Sequence, residues 1–353
     1  MLSPEETNIQ MLNKYRVDIP FASGKFSVVC RAYPKSPSSP PPSSSSDDPH
    51  HQHSRSTSNP PHSSSSDTSD LEFLGSQSTS SPTARTSRLP LLSTPIKSGL
   101  PKELVLKSTP IGAPKDHNEP GLREIRILDQ LSRLAAEGKC YNFVLINDWY
   151  KTRESIYGGS AGSHAFVHGI LEFANIGTLK HHQVCTLELW RNIAFQCLYA
   201  LYIGQRELQL VHLDLHADNI LLSTLPKGVS ALGFRLPSGA QYFVATEMVK
   251  ISDFSLSRIR VPDTTEVLSH KGRSGFEPTA DLESLSKVLK QLKVHPPIPK
   301  DSLEAQHRRS FLTRLSHCMP GLEAEHIDQL LTMPLFDVLK EMPSGENFLM
   351  AVA

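Results

Sequence analysis

Two hydrophobic periods divide this chain. Residues 12–33 alternate apolar and polar around Phe21-Ala22-Ser23-Gly24-Lys25-Phe26-Ser27-Val28-Val29, which predicts two short strands joined by a tight turn. Glu103-Leu104-Val105-Leu106-Lys107 is a further short β run. From Leu122 to Leu131 the apolar positions change to helical spacing, so Glu124 is placed on a helix. Residues 142–150 and 164–173 return to strand-like text. A long helix is predicted from Thr186, with Leu187, Trp190, Ile193, Ala194, Cys197, Leu198 and Leu201 on one stripe that reads as core. Past residue 281 the pattern is mainly helical. Strands first and helices afterwards imply an α+β protein with a small sheet part and a larger helical part.

Composition changes the picture in one place. Residues 34–95 hold 11 of the 27 prolines, with serine runs at Ser43 to Ser46 and Ser63 to Ser66. Such text has too little apolar surface to offset the roughly 1–2 kcal/mol needed to fix each residue's backbone, so it is expected to be a disordered insertion. The histidines at 50, 51 and 53 read as solvated residues of that tract rather than a metal site. The full chain has 353 residues, a length that suits two domains or lobes. Its 36 basic and 36 acidic side chains balance, which argues against a nucleic-acid coat or an acidic-membrane binder. No run approaches the ~18 apolar residues of a membrane span, and the first residues lack the order of a signal peptide. Five scattered cysteines, never in a Cys-x-x-Cys pair, suit reduced thiols in cytosol or nucleus.

The chemistry concentrates in Val211-His212-Leu213-Asp214-Leu215-His216-Ala217-Asp218-Asn219-Ile220-Leu221-Leu222. Two β-type runs flank a polar loop in which Asp214 and Asn219 stand five apart. Phosphoryl transfer needs a carboxylate to orient the attacking hydroxyl and an amide oxygen to help hold Mg²⁺. Downstream, the apolar run ending at Ile251 delivers a second carboxylate, Asp253, followed by Phe254 as an anchor. A carboxylate and an amide oxygen beside phosphates suit Mg²⁺, a hard ion that prefers oxygen. Upstream, Lys107 ends an apolar strand and Glu124 lies on the next helix, a pairing that would immobilise a phosphate-clamping ammonium. Gly24 in the first hairpin would let backbone approach phosphate closely. Alone, Gly24 is a turn glycine, Lys107 a strand lysine and Glu124 an exposed helix residue with Glu119 as competitor. Their joint order carries the argument.

The order Gly24, Lys107, Glu124, Asp214, Asn219, Asp253 resembles the signature set of the protein-kinase superfamily over about residues 19–340. The Asp-Leu-His-x-x-Asn form at 214–219, the long connection between Asn219 and Asp253, and Asp-aromatic-small-Leu-Ser-Arg at 253–258 are most similar to haspin-type kinases. The segment 259–280 lacks an Ala-Pro-Glu ending, as haspins do. Asp281-Leu282-Glu283-Ser284-Leu285 resembles the helix whose first aspartate braces the catalytic loop; it also resembles casein kinase I, which stays open.

This resemblance implies a two-lobed kinase fold, with an antiparallel-sheet N-lobe over 1–173, including the insertion, and a helical C-lobe over 174–353. It implies an ATP- and Mg²⁺-dependent serine/threonine kinase in which Asp214 is the catalytic base and His216 a phosphate or substrate neighbour in place of the usual lysine. Asn219 and Asp253 would be the metal ligands. Lys107 would bind α- and β-phosphates with Glu124 as brace, and Gly24 and Val29 would cover ATP. The adenine hinge would lie in Leu171 to Gly177, with Glu172, Ala174 and Ile176 entering through two alternative registers. The implied substrate is a histone H-three tail on mitotic chromatin, with Asp263, Glu266, Glu277 and Asp281 as possible acidic subsites. The implied enzyme is a nuclear or cytoplasmic monomer, nucleus favoured, with neither sequence-specific nucleic-acid binding nor membrane attachment. A pseudokinase scaffold is the alternative from another class, because Ala22 and Ser27 replace loop glycines; a small-molecule phosphotransferase shares only the Asp-Leu-His-x-x-Asn form. Leu213 and Ser255 are further departures, standing where kinases usually carry arginine and glycine.

Overall fold

Leu104, Leu106 and Ser108 face one side of a strand and Val105, Lys107 and Thr109 the other, and this alternation organises the N-terminal sheet. The computed structural model describes residues 14–23, 28–35, 103–112, 119–152, 165–182, 184–270, 277–317, 323–341 and 347–353. Strands β1 (Tyr15–Ser23), β2 (Val28–Pro34) and β3 (Leu104–Ile111) precede helix α1 (Pro120–Ala136), after which come β4 (Ile146–Thr152) and β5 (Ala165–Glu172). The five strands form one antiparallel sheet in the order β1-β2-β3-β5-β4. The β1–β2 register shifts on both sides of Pro20, an edge-strand place where a residue without an N–H is tolerated.

Pro34 closes β2 opposite Tyr15, so the ordered strand reaches into the stretch assigned to the insertion; residues 36–95 lie outside those described. Strand β3 runs four residues past the apolar run that signalled it. Its polar continuation is buried because Ser108 Oγ pairs with His168 Nδ1 at 2.8 Å, while Thr152 Oγ1 pairs with Nε2 of the same ring at 2.7 Å.

That buried ring has a measurable consequence. Burial holds the His168 pKa down to about 4. Between pH ~6.5 and ~4 the unfolded chain binds a proton that the native ring refuses, so stability falls on acidification, by about 3 kcal/mol at the acid end of the window. Urea unfolding at pH 7 and pH 4.5 should show this loss, and a His168→Gln chain should show less of it. Equal losses in both chains would refute the assignment.

Helix α1 packs on the sheet through two close approaches. A Cβ on Gly121 would lie 2.7 Å from Val167 Cγ1, and one on Gly169 would lie 2.9 Å from Ile125 Cδ1. Gly169 stands opposite Lys107 in the ladder, so the bare backbone there lets the helix settle beside the lysine.

Further along come β6 (Gly177–Thr178), β7 (Val184–Cys185) and helix α2 (Leu187–Leu208). Thr186 caps α2 by accepting from Leu189 N at 3.1 Å. The helix is buried all round from Asn192 to Gln205, a wider burial than the single predicted stripe. Its second face is covered by the connection after the polar loop, which folds as β8 (Ile220–Ser223), β9 (Ala231–Arg235), β10 (Gln241–Val244) and β11 (Met248–Ile251). Phe195 meets Tyr242 at 4.7 Å between ring centroids, and Tyr199 meets Phe234 at 4.9 Å.

A short ribbon of β12 (Ile259–Arg260) and β13 (Val267–Leu268) leads to helix α3 (Thr279–Gln291), β14 (Lys293–Val294), helices α4 (Leu303–Leu315) and α5 (Glu323–Leu331), and finally β15 (Phe348–Val352). Strand β15 pairs in parallel with β9 to complete a three-stranded sheet with β10; β6, β8 and β11 form another. The region is mainly helical, as expected, and ends in a strand that the helical periodicity does not reveal.

No disulfide joins the four described cysteines, all of them buried. Among the described residues no helix is long and apolar enough to cross a membrane.

Candidate active site

Period-two alternation turns Lys107 toward α1, where Glu124 sits about one turn from the helix start. Lys107 Nζ lies 2.7 Å from Glu124 Oε1 and 3.0 Å from Asp253 Oδ1. Burial alone would lower the lysine pKa, but the two carboxylates outweigh it and hold the ammonium above its usual value. Burial likewise pushes Asp253 up, and Lys107 outweighs it, so that carboxyl is held below its usual value. Glu119, the competitor for this role, instead ends the loop before α1 and accepts from Gly112 N at 3.2 Å.

The loop carrying Asp214 is clamped from beneath. Asp281, wholly buried at the start of α3, accepts from His212 N at 2.6 Å through Oδ2 and from Leu213 N at 2.9 Å through Oδ1. Leu213 adopts φ 65°, a left-handed conformation that L-residues seldom take without such support. His212 is fully buried; its Nε2 donates to the Ser252 carbonyl at 2.9 Å, and its ring meets Phe254 edge-on at 5.0 Å. Ser257 Oγ donates to the His212 carbonyl at 3.0 Å.

Asn219 joins the two halves of the site. Its Nδ2 donates to the Asp214 carbonyl at 2.9 Å, and its own carbonyl accepts from Ser252 N at 2.9 Å. With the amide nitrogen committed, the side-chain oxygen is what remains for a cation. Asp253, at φ 62°, follows Ser252 directly, and Phe254 beside it is buried against Phe143 and His212. Asn219 and Asp253 therefore supply one amide oxygen and one carboxylate, a hard-oxygen pair whose chemistry fits Mg²⁺ with phosphate oxygens completing the shell. His216 lies between two carboxylates, with Nε2 3.6 Å from Asp214 Oδ2 and Nδ1 3.7 Å from Asp218 Oδ2; Lys180 Nζ reaches the same Asp218 oxygen at 3.1 Å.

The hinge candidates separate. Glu172 ends β5; its backbone N–H donates to the Leu145 carbonyl at 2.9 Å, and its Oε1 faces the buried Lys250 ammonium at 2.7 Å. Ala174 follows, buried. Ile176 gives its backbone N–H to the Leu222 carbonyl at 3.1 Å, so that donor is already used and the register through Ile176 loses its main support. Val29 stands opposite Lys107 in the β2–β3 ladder. Gly24 lies outside the described residues.

Two suggested acidic subsites are corrected. Asp281 is buried under the catalytic loop, and the Glu266 carboxylate is engaged by Arg126 through bonds of 2.7 and 2.6 Å. Asp263 and Glu277 are exposed. Sequence reasoning passed over two further residues. Lys250, a lone cation in the apolar run Val249 to Ile251, pairs with Glu172, and Arg123 beside Glu124 is buried against the segment after Asp253. A charged residue inside a buried run was the signal in both cases.

With this geometry in place, comparison with known proteins is informative. The family model described as the haspin-like kinase domain matches residues 83–272. A probable serine/threonine-protein kinase of Dictyostelium discoideum is 34% identical over 141 residues, which cover 36% of this chain and 12% of that protein. The chain thus matches only a small part of that relative's length.

Proposed function

The chain belongs to the haspin-like kinase family, and on that premise we propose that it is an ATP-dependent serine/threonine protein kinase. The observation that carries this reading is the Lys107–Glu124–Asp253 triad, at 2.7 and 3.0 Å, joined through Ser252 and Asn219 to the loop that presents Asp214. In this reading the N-lobe spans 1–173, with the insertion within it, and the C-lobe spans 174–353.

The residues divide the work. Lys107 holds phosphate oxygens with its stem fixed by Glu124. Asp214 orients the acceptor hydroxyl and takes its proton as the oxygen bonds to the γ-phosphorus, the bond from that phosphorus to the β,γ-bridging oxygen breaks, and ADP leaves. Asn219 holds the Asp214 backbone in place, so that the carboxylate and the metal-ligating amide move as one unit. Mg²⁺, held by Asn219 and Asp253, would neutralise phosphate charge as it develops. Glu172 and Ala174 form the adenine-facing hinge register. His216 contacts the phosphate or the substrate from beside Asp214.

The substrate we propose is a histone H-three tail, bound by a monomeric, predominantly nuclear enzyme that contacts neither membrane nor specific nucleic-acid sequence. Exposed Asp263 and Glu277 are the remaining acidic candidates for a basic peptide. The test incubates the full chain with radiolabelled ATP and Mg²⁺ beside histone-tail peptides, casein, choline and an aminoglycoside, with Asp214→Asn as control. Labelling of the histone tail by wild type alone supports the proposal. Labelling of casein only would keep the kinase and remove the substrate, and labelling of a small molecule would overturn both. Nucleotide-induced stabilisation without any transfer would favour a scaffold.

Turnover should not depend on phosphorylation within 259–280. Leu213 stands where an arginine would pair with a segment phosphate, and an alkyl side chain offers a phosphate no charge-assisted bond. Phosphatase treatment is expected to leave kcat unchanged; a fall that rephosphorylation of this segment reverses would contradict the expectation.

A further inference from the structure

Arg123 is next to Glu124 on α1, yet it is only 1% exposed. Its Nη2 donates to the carbonyl of Ser255, two residues past Asp253, and its Nη1 donates to the carbonyl of Ser269 at 3.4 Å. Ser269 directly follows β13, so one guanidinium spans the beginning and the far side of the segment after Asp253. One turn along the same face of the helix, Arg126 grips Glu266 with two bonds. Both arginines therefore tie the helix that carries Glu124 to residues 255–269.

Chemistry separates the two contacts. The Arg126–Glu266 pair is partly exposed, and such pairs contribute little. The Arg123 guanidinium is taken out of water, which is costly unless its donors are used, and its planar fork reaches two diverging carbonyls as an ammonium on a single carbon cannot. The Ser255 and Ser269 acceptors are backbone atoms, so these two contacts need no modification to form and survive side-chain changes in the segment. Leu213, by contrast, brings no cation of its own to a segment phosphate.

We propose that Arg123 is a positioning residue that clasps α1 to the segment 255–269, so that Glu124 reaches Lys107 and the triad is assembled in the unmodified protein. Its effect on turnover rests on the kinase reading; its effect on Lys107 does not. Lys107 reports the clasp because its side chain is only 15% exposed while Glu124 and Asp253 hold it, and a stem released from Glu124 meets an acylating reagent more easily.

The experiment compares wild type, Arg123→Gln, Arg123→Lys and Arg126→Ala by two readouts: the rate of Lys107 acylation by an acetyl N-hydroxysuccinimide ester, followed by peptide mass spectrometry, and kcat with KM for ATP. In Arg123→Gln, Lys107 should react several-fold faster and kcat should fall about 10- to 100-fold, the scale of a small misplacement of a reacting group. Arg123→Lys should fall between wild type and Arg123→Gln on both readouts. Arg126→Ala should stay within about twofold of wild type. Unchanged Lys107 acylation in a folded Arg123→Gln chain would overturn the proposal. Should that chain not fold, the acylation rate of Arg123→Lys decides in the same way. Faster acylation in variants of a chain that labels no substrate would sustain the clasp while removing the kinase reading.

Discussion

Asp214→Asn is expected to lower kcat by about 10²- to 10⁴-fold and to leave ATP affinity within about twofold. The substitution keeps the backbone carbonyl that Asn219 grips and the volume of the side chain, so the loop retains its shape. What it removes is a carboxylate 38% exposed, with no bond to the Lys107 triad, whose role lies in the step that moves a proton. Asp253→Asn should behave in the opposite way. Asp253 is ion-paired to Lys107 and is one of two oxygen donors available to a cation, so its loss should abolish Mg²⁺-dependent nucleotide affinity along with turnover. Calorimetric titration with ATP, with and without Mg²⁺, beside steady-state turnover separates the two. Asp214→Asn with near-normal kcat would remove the carboxylate from the chemistry.

The second large effect is expected at a residue that touches no substrate. Asp281→Ala strands the N–H groups of His212 and Leu213 in a buried place, at about 1–3 kcal/mol each, so roughly 2–6 kcal/mol of stability should be lost. Burial raises the Asp281 carboxyl pKa above the usual carboxylate range, and the two N–H groups with His212 offset only part of that rise. Leu213 would also lose what holds its left-handed backbone, one residue before Asp214. Scanning calorimetry should show a lowered melting temperature, and kcat should fall in the fraction that remains folded. A melting temperature unchanged within a degree or two would mean that the loop holds itself.

Local text revealed those parts of the fold that are locally encoded. Lys107 and Glu124 could be placed on a strand and a helix because each element carries its period through the residue, and Asp214 with Asn219 because their spacing is short. The two-sided burial of α2 could not be read the same way. Its outer face is apolar for contact with Phe234 and Tyr242, on a hairpin whose contacting residues lie 35 and 47 positions further along and which reads as an irregular connection. Strand β15 is invisible for the same reason, since its partner β9 lies more than 100 residues earlier. Polar ends of strands escape a hydrophobic pattern where the polarity is satisfied inside, as at Ser108 and His168. Which N–H of the proposed hinge is free is not legible in sequence, because the Ile176 N–H bond to the Leu222 carbonyl forms only in the folded chain.

The last strand also bears on how Glu124 can move. Val352 donates its backbone N–H to the Gly138 carbonyl at 2.9 Å, just past the far end of α1, so that end of the helix is stitched to the sheet of β9, β10 and β15. The near end rests on side-chain packing at Gly121 and on the Arg123 clasp. A tilt about that stitched end would displace the near end most. Glu124 is 14 residues out, roughly 20 Å along the axis, and a tilt of about 10° would carry its carboxylate about 4 Å, enough to part it from Lys107.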